Sequence, residues 1–334
     1  MTSTLRVSPA VPYARMLSVG SYRPERVVTN DEVCLRIDST DQWIQERSGI
    51  RERRYAAVDE SVCDMSVAAA LIAIERAGLQ PADVDVVILA TVTHPYPTPS
   101  AAAEVAFRLG TNGAAAFDIS AACAGFCYGI AMAQDFVRGG SARNVVVVGV
   151  EKLTDWIDLD DRSTAFIFAD GAGAAVIGAS DTPAISPVVW GSDGGQYQAI
   201  AMTQSLIDYR ENGGERFPTL SMQGQQVFRW AVSEIAKAAQ RILDAAGISA
   251  DELDAFIPHQ ANMRITDAMI RTLGLPSHVP VARDIATTGN TSAASIPLAM
   301  DRMISAGEVP SGGLALIIGF GAGLVYAGQV VQMP

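Results

Sequence analysis

The feature that most restricts the fold is that the chain repeats itself at about half its length. Ala77-Gly78 closes a helical stretch and leads through Pro81-Ala-Asp into an apolar run from Val84. Ala246-Gly247 closes another, 169 residues on, and leads through Ser249-Ala-Asp into a run from Leu253. The run before Gly149 (Asn144-Val-Val-Val-Val) returns before Gly319 (Leu314-Ala-Leu-Ile-Ile), and Asp118-Ile119 returns as Asp284-Ile285. Apolar strands alternating with helices in both copies predict a duplicated α/β fold, each sheet packed between helical layers. The expected halves are residues 1–180, carrying a candidate nucleophilic cysteine, and residues 181–334, carrying a candidate histidine and asparagine. They divide in Ala179-Ser-Asp-Thr-Pro183. Duplication brings equivalent points together at a central cleft, where ligand sites concentrate.

Composition removes several alternatives. With 49% apolar and 18% charged residues, a disordered or fibrous chain is excluded. The net charge of −12, with only Lys152 and Lys237 beside the arginines and no basic run, argues against a nucleic-acid partner. The uncharged stretch from Ser311 to Pro334 raises the question of a membrane span. Its glycines and β-branched residues predict instead a buried strand, turn and strand, so no membrane partner is expected. The cysteines are Cys34, Cys63, Cys123 and Cys127, and the start does not resemble a leader, so a reduced, cytoplasmic protein is expected. Cys123 and Cys127 form a C-x3-C, but with histidines only at 94, 259 and 278 no metal set is completed.

The chemistry concentrates at three residues. From Ile119 to Gln134 there is no charge, which predicts a buried central helix with Cys123 at its start. There, free N–H groups and the helix dipole favour a thiolate, although the ordinary reading of a lone cysteine is a small buried hydrophobe. His259, in Phe256-Ile-Pro-His-Gln-Ala-Asn262, stands where a strand gives way to a helix, a usual place for catalytic groups in α/β folds. Asn290 lies in Thr287-Thr-Gly-Asn-Thr-Ser-Ala-Ala-Ser295, where a turn asparagine is the ordinary explanation. Together the three supply a nucleophile, a base or oxyanion partner, and an amide donor. The Gly319-Phe-Gly-Ala-Gly323 run is not a dinucleotide fingerprint, because the residues after it are too few for the helix and strand such a unit requires. It suits close backbone approach to a reacting group. Arg264 and Arg271, seven apart, share a helix face; Arg47 follows Trp43, and Arg162 follows the acidic run Asp155–Asp161. They are either solvated surface or a grip for a phosphorylated, acidic acyl carrier.

Four motifs in order, Asp118-Ile-Ser-Ala-Ala-Cys-Ala-Gly-Phe126, Pro258-His-Gln-Ala-Asn262, Gly289-Asn-Thr-Ser-Ala-Ala-Ser295 and Gly319-Phe-Gly-Ala-Gly323, resemble the signatures of the beta-ketoacyl-acyl-carrier-protein synthase III family of the thiolase superfamily. The resemblance implies a thiolase-like duplicated five-layer αβαβα fold and a homodimer. It implies that acyl-CoA acylates Cys123, and that His259 and Asn290 hold the thioester oxygen of malonyl-acyl-carrier protein as CO2 leaves. The oxyanion hole would be the backbone N–H groups of Cys123 and Ala322. Trp43, Arg47 and Arg162 would contact the CoA nucleotide, Gly224, Ala261 and Asn262 the pantetheine arm, and Arg229, Arg264 and Arg271 the acyl carrier protein. Thr98, Leu153, Phe168 and Phe320 would line the acyl pocket, with no cofactor besides the substrates. Thr98 replaces an aromatic that in the family often closes the pocket across the dimer. That implies a primer larger than acetyl, unless Tyr96 or Trp156 fills the space.

Departures sort the relatives. No cysteine follows Cys127, where thiolases carry a second, and Asn290 stands where elongating synthases carry a second histidine. The resemblance thus implies chain initiation in fatty-acid or polyketide synthesis. A starter-unit acyltransferase of the same fold is the alternative. A regulatory acyl-CoA-binding protein is disfavoured, since binding alone requires no Cys, His and Asn together.

Overall fold

The computed structural model describes residues 8–214 and 216–334; the opening residues, on which the leader reading partly rests, lie outside the described residues. The first half runs β1 (Tyr13–Tyr22), α1 (Val62–Arg76), β2 (Val86–Ala90), α2 (Ala101–Leu109), β3 (Ala115–Ile119), α3 (Gly125–Arg138), β4 (Asn144–Lys152) and β5 (Asp170–Ser180). The second runs β6 (Val189–Ser192), α4 (Ala236–Ala246), β7 (Ala255–Pro258), α5 (Met263–Leu273), α6 (Ser295–Ser305), β8 (Leu314–Gly321) and β9 (Val325–Gln332). Local signals place these elements. At α1 the Ser61 side chain accepts from the Asp64 N–H while the Asp64 carboxylate accepts from the Ser61 N–H, a reciprocal cap. Helix α4 stops at Gly247, whose φ of 72° suits glycine.

The two sheets have the same plan. The first is ordered β1-β5-β4-β2-β3 and the second β6-β9-β8-β7. In each, a parallel pair (β2 with β4, β7 with β8) is followed by two antiparallel neighbours, and in the first sheet β3 adds a second parallel pairing to β2. The second sheet lacks a full counterpart of β3, but Val281 bridges Phe256 in parallel, as Phe117 of β3 pairs with Ile88 of β2.

Alternation along the buried strands builds five layers. Val145 and Val147 of β4 and Ala315 and Ile317 of β8 face a central layer made by Phe126 and Ile130 of α3 with Ile296 and Met300 of α6. Val146 and Val148 face outward onto α1 and α2, and Leu316 and Ile318 onto α4 and α5. The uncharged C-terminal stretch is the antiparallel pair β8 and β9. Among the described residues no helix is long and apolar enough to cross a membrane.

One echo requires correction. Asp118 is the penultimate residue of β3, and its carboxylate accepts the Ala101 and Ala102 N–H groups at the start of α2. Asp284 instead precedes the short helix Ile285–Thr288 and pairs with Arg23 and Arg302. The true equivalents are two 3-10 turns, Ala122–Ala124 before α3 and Ser292–Ala294 before α6, opening on residues with φ of 45° and 49°. Cys123 therefore corresponds to Ala293, and Asn290 lies just ahead of the second turn rather than opposite Cys123.

The two turns are held reciprocally. A Cβ on Gly149 of β4 would sit 2.2 Å from the Ala293 carbonyl oxygen, and one on Gly319 of β8 would sit 2.8 Å from the Cys123 carbonyl oxygen. Each half's central strand thus carries a glycine so that the other half's turn can lie against its backbone. Gly149→Ala should therefore destabilise the protein by about 1–3 kcal/mol, the usual range for overpacking. A urea midpoint unchanged from the parent would contradict this close packing.

Candidate active site

A cavity of about 1170 Å³ runs between the halves. The exposed part of its wall includes Arg47, Arg162, Arg229 and Arg264, and the buried part includes His259, Asn290 and Phe320, with Cys123 between these extremes. Cys123 sits in the Ala122–Ala124 turn, held there by the left-handed backbone of Ala122, a strained conformation of the kind that gathers at functional sites. The end of β8 passes beside it: a Cβ on Gly321 would lie 2.8 Å from the Cys123 sulfur. Burial pushes the thiol up to about 12, the Ser292 hydrogen bond pulls it down, and the nearby Glu151 raises it. Burial thus opposes the thiolate that the helix terminus favours, and a thiol pushed up this far is protonated near neutral pH.

His259 follows β7, and its N–H donates to the Ile318 carbonyl at 2.8 Å, tying it to β8. Its Nδ1 lies 2.7 Å from Ser295 Oγ, which also accepts the Gln260 N–H at 3.3 Å. A Ser295 O–H that donates to Nδ1 places the ring proton on Nε2. The ring meets Phe320 edge-on at 5.2 Å. Burial holds the imidazole down at about 3, so it is a neutral donor.

Asn290 is fixed in the same manner. Its N–H donates to Ile167 O at 2.9 Å, its carbonyl accepts from the Ala169 N–H, and its Oδ1 accepts the Ser292 N–H at 2.9 Å. With Oδ1 occupied, the Nδ2 group is the part of the amide free to donate. Two neutral donors thus line the cavity that holds Cys123.

Leu153, Phe168, Phe320, Gly224, Ala261, Asn262 and Ala322 also line this cavity. The Trp43 ring has the Arg162 guanidinium 4.5 Å and the Arg47 guanidinium 5.8 Å from its centre, with Phe166 edge-on at 5.2 Å. Arg264 lies 5.1 Å from the Phe228 ring. Two expected residues are not on the wall. Arg271 is exposed further along α5, and Thr98 is exposed on the loop after β2, outside the cavity of its own chain. The single-chain pocket is walled instead by Leu153, Phe168 and Trp156, whose Nε1 donates to Thr93 O at 2.9 Å; Tyr96 is exposed. Primer length is therefore not set by Thr98 within one chain. The sequence reading missed Ser292, Ser295 and Glu151. The signal for Glu151 was a lone carboxylate ending the apolar run Val145–Val150. Among the described residues, no cluster of three or more metal-ligating side chains occurs.

Two equivalent halves, five layers and a cavity closing on a cysteine beneath the second half's glycine loop define a thiolase-fold protein. Residues 117–194 match the family model for 3-oxoacyl-[acyl-carrier-protein (ACP)] synthase III, and residues 243–333 match that for its C-terminal part. The chain is 57% identical over 332 residues to a beta-ketoacyl-[acyl-carrier-protein] synthase III of Streptomyces glaucescens, covering 99% of this chain and 100% of that one. It is 51% identical over 319 residues to the mycobacterial beta-ketoacyl-[acyl-carrier-protein] synthase III of Mycobacterium avium, covering 96% and 95%. The crystal structure of the priming beta-ketosynthase from the R1128 polyketide biosynthetic pathway superposes with a TM-score of 0.96 at 50% identity, covering 99% of each chain. The chain belongs to the beta-ketoacyl-acyl-carrier-protein synthase III family.

The burial of His259 has a direct spectroscopic consequence. Its imidazole should stay neutral from pH 5 to 8, because a value near 3 leaves it unprotonated throughout that range. Imidazole resonances followed by NMR, assigned with His259→Gln, check this; a midpoint near 6 for His259 would contradict it.

Proposed function

We propose that this chain is a priming condensing enzyme. Acyl-CoA acylates Cys123 and CoA departs; malonyl-acyl-carrier protein then enters the same cavity and presents its thioester oxygen to His259 Nε2–H and Asn290 Nδ2–H. As CO2 leaves, the carbon–carbon electron pair becomes an enolate whose charge falls on that oxygen, where the two donors hold it. The enolate carbon attacks the acyl-cysteine carbonyl, and the backbone N–H groups of Cys123 and Ala322 receive the oxyanion. Collapse expels the Cys123 sulfur and gives 3-oxoacyl-carrier protein. Every step runs through these side chains and amides, so no resident cofactor is called for.

The observation that carries this reading is the pair of neutral donors, each with its acceptor atom already occupied, in the cavity that holds the thiol. Transfer of an acyl group without condensation, the alternative, has no enolate and gives a fixed His–Asn pair nothing to stabilise. Trp43, with Arg47 and Arg162 against its ring, suits an adenine and its phosphates. Arg229 and Arg264, with Arg271 beyond them on α5, form the positive approach for an acidic carrier on a body of net charge −12. The unpaired edge strand β3 offers its backbone to a second copy, consistent with a homodimer. Four unpaired cysteines suit a reducing, cytoplasmic setting in fatty-acid or polyketide initiation.

Incubation with acyl-CoA should place one acyl adduct on Cys123 by mass spectrometry, and Cys123→Ala should abolish it along with condensation. His259→Ala and Asn290→Ala should each cut CO2 release from malonyl-carrier by on the order of 10²-fold while acylation persists. An adduct on Cys127, or normal CO2 release by either variant, would refute the assignment.

Arg264→Glu should raise KM for malonyl-carrier and flatten its salt dependence, with acyl-CoA loading changed much less. Unchanged KM and salt dependence would place the docking patch elsewhere.

A further inference from the structure

The donors described above leave one part of the chemistry unassigned. Cys123 is a thiol at rest, and something must take its proton when the sulfur attacks. His259 is not suited to be that acceptor, because its Nε2 already carries the proton that binds the thioester oxygen and its Nδ1 is engaged by Ser295. Nor is Asn290, an amide.

A buried carboxylate lies one hydroxyl away. Glu151, fully buried at the end of β4, points toward the central layer, and its Oε1 accepts the Ser292 hydroxyl at 3.1 Å. The Ser292 turn packs against the Cys123 turn, both residues line the same cavity, and Ser292 pulls the Cys123 thiol down against the effect of burial. Oε2 is fixed by the Val92 N–H at 3.0 Å and by the Thr91 and Thr93 hydroxyls at 3.2 and 2.7 Å. The carboxylate is thus held by donors but has no cation bonded to it. Lys152, next along the strand, and its cross-strand neighbour Asp170 lie on the opposite face; Lys152 donates to Ala57 O and Val58 O, and Asp170 holds the Thr154 and Ala56 N–H groups. The titratable group facing Glu151 across the Ser292 turn is Cys123. An uncompensated buried carboxylate is costly, and such groups gather at functional sites.

We propose that Glu151, acting through the Ser292 hydroxyl, takes the Cys123 proton as the thiol is acylated and returns it when condensation releases the sulfur. In the first step the S–H proton passes to Ser292 Oγ as the Ser292 proton passes to Glu151. The sulfur then bonds to the acyl carbon, and the carbon–sulfur bond to CoA breaks. CoA leaves as a thiolate and takes a proton from water. In the second step the Cys123 sulfur is expelled as a thiolate and recovers the stored proton by the reverse shift. Over the cycle Glu151 is unchanged, and the one proton consumed is that on CoA. Burial holds the Glu151 carboxyl up at about 7, close to a working pH, where a carboxylate both accepts and returns a proton readily.

This inference rests on the acylation of Cys123 proposed above, and single-turnover acylation by acyl-CoA, followed by mass spectrometry from pH 5.5 to 9, separates the two. In the parent the rate should fall as pH drops through about 7, because protonated Glu151 accepts nothing. Glu151→Gln keeps the shape and should slow acylation at pH 8 by on the order of 10²-fold and abolish that limb. Ser292→Ala leaves the carboxylate and the Asn290 contact to its N–H in place, and should do the same by breaking the path. A merely electrostatic Glu151 predicts the opposite sign, since removing a negative charge beside the sulfur would speed thiolate formation. Glu151→Gln or Ser292→Ala acylating as fast as the parent, with the same pH limb, would overturn the relay while leaving the acyl-cysteine intact. A parent that forms no adduct would overturn both.

Discussion

The site depends on a reciprocal backbone contact between the halves. Gly149 of β4 admits the Ser292–Ala294 turn, and Gly319 of β8 admits the Ala122–Ala124 turn. Each half therefore presents its reactive turn against the other half's central strand. Cys123 lies beside Gly321 and the Ser292 hydroxyl beside Glu151, although each pair is distant in sequence. A side chain at either strand position would push the turns apart, and a hydrogen-bonded site tolerates little of that displacement.

Burial then decides the charge state of the groups so assembled. Desolvation holds His259 neutral, keeps Cys123 a thiol, and lifts Glu151 toward neutrality. Neutral donors suit charge that appears only during reaction, because they bind the uncharged thioester weakly and the enolate strongly. Neighbours complete the assignment. Ser295 fixes the histidine tautomer and the Ser292 N–H fixes the asparagine amide, so each donor is aimed before substrate arrives.

The outer end of the cavity follows a different physics. Arg47 and Arg162 both lie against the Trp43 ring, and Arg229 and Arg264 complete a positive rim on an acidic molecule. Exposed charges of this kind contribute little to stability, but they shape the local field that an anionic ligand meets. The same cavity thus passes from a charged mouth to an uncharged, donor-lined interior.

Residue order alone established the duplication, the alternation of strands and helices, the buried central helix, and the candidates Cys123, His259 and Asn290. Periodicity and turn chemistry are local, and they survive in the order of residues. Family resemblance assigned the arginines to CoA or the carrier protein and the Ala322 N–H to the oxyanion hole. Packing of the two halves settled which of their points are equivalent. Asp118 and Asp284 match in sequence yet serve different ends, whereas Ala122 and Ser292 share an unusual backbone conformation that their side chains do not announce. Packing also placed Thr98 outside its own chain's cavity and brought Glu151 and Ser295 to the site. The reason is that the pKa of a buried group, the tautomer of a ring and the approach of two backbones are all set by neighbours remote in sequence. Ser295 is 36 residues from His259 and Ser292 is 141 from Glu151, separations that no local pattern encodes.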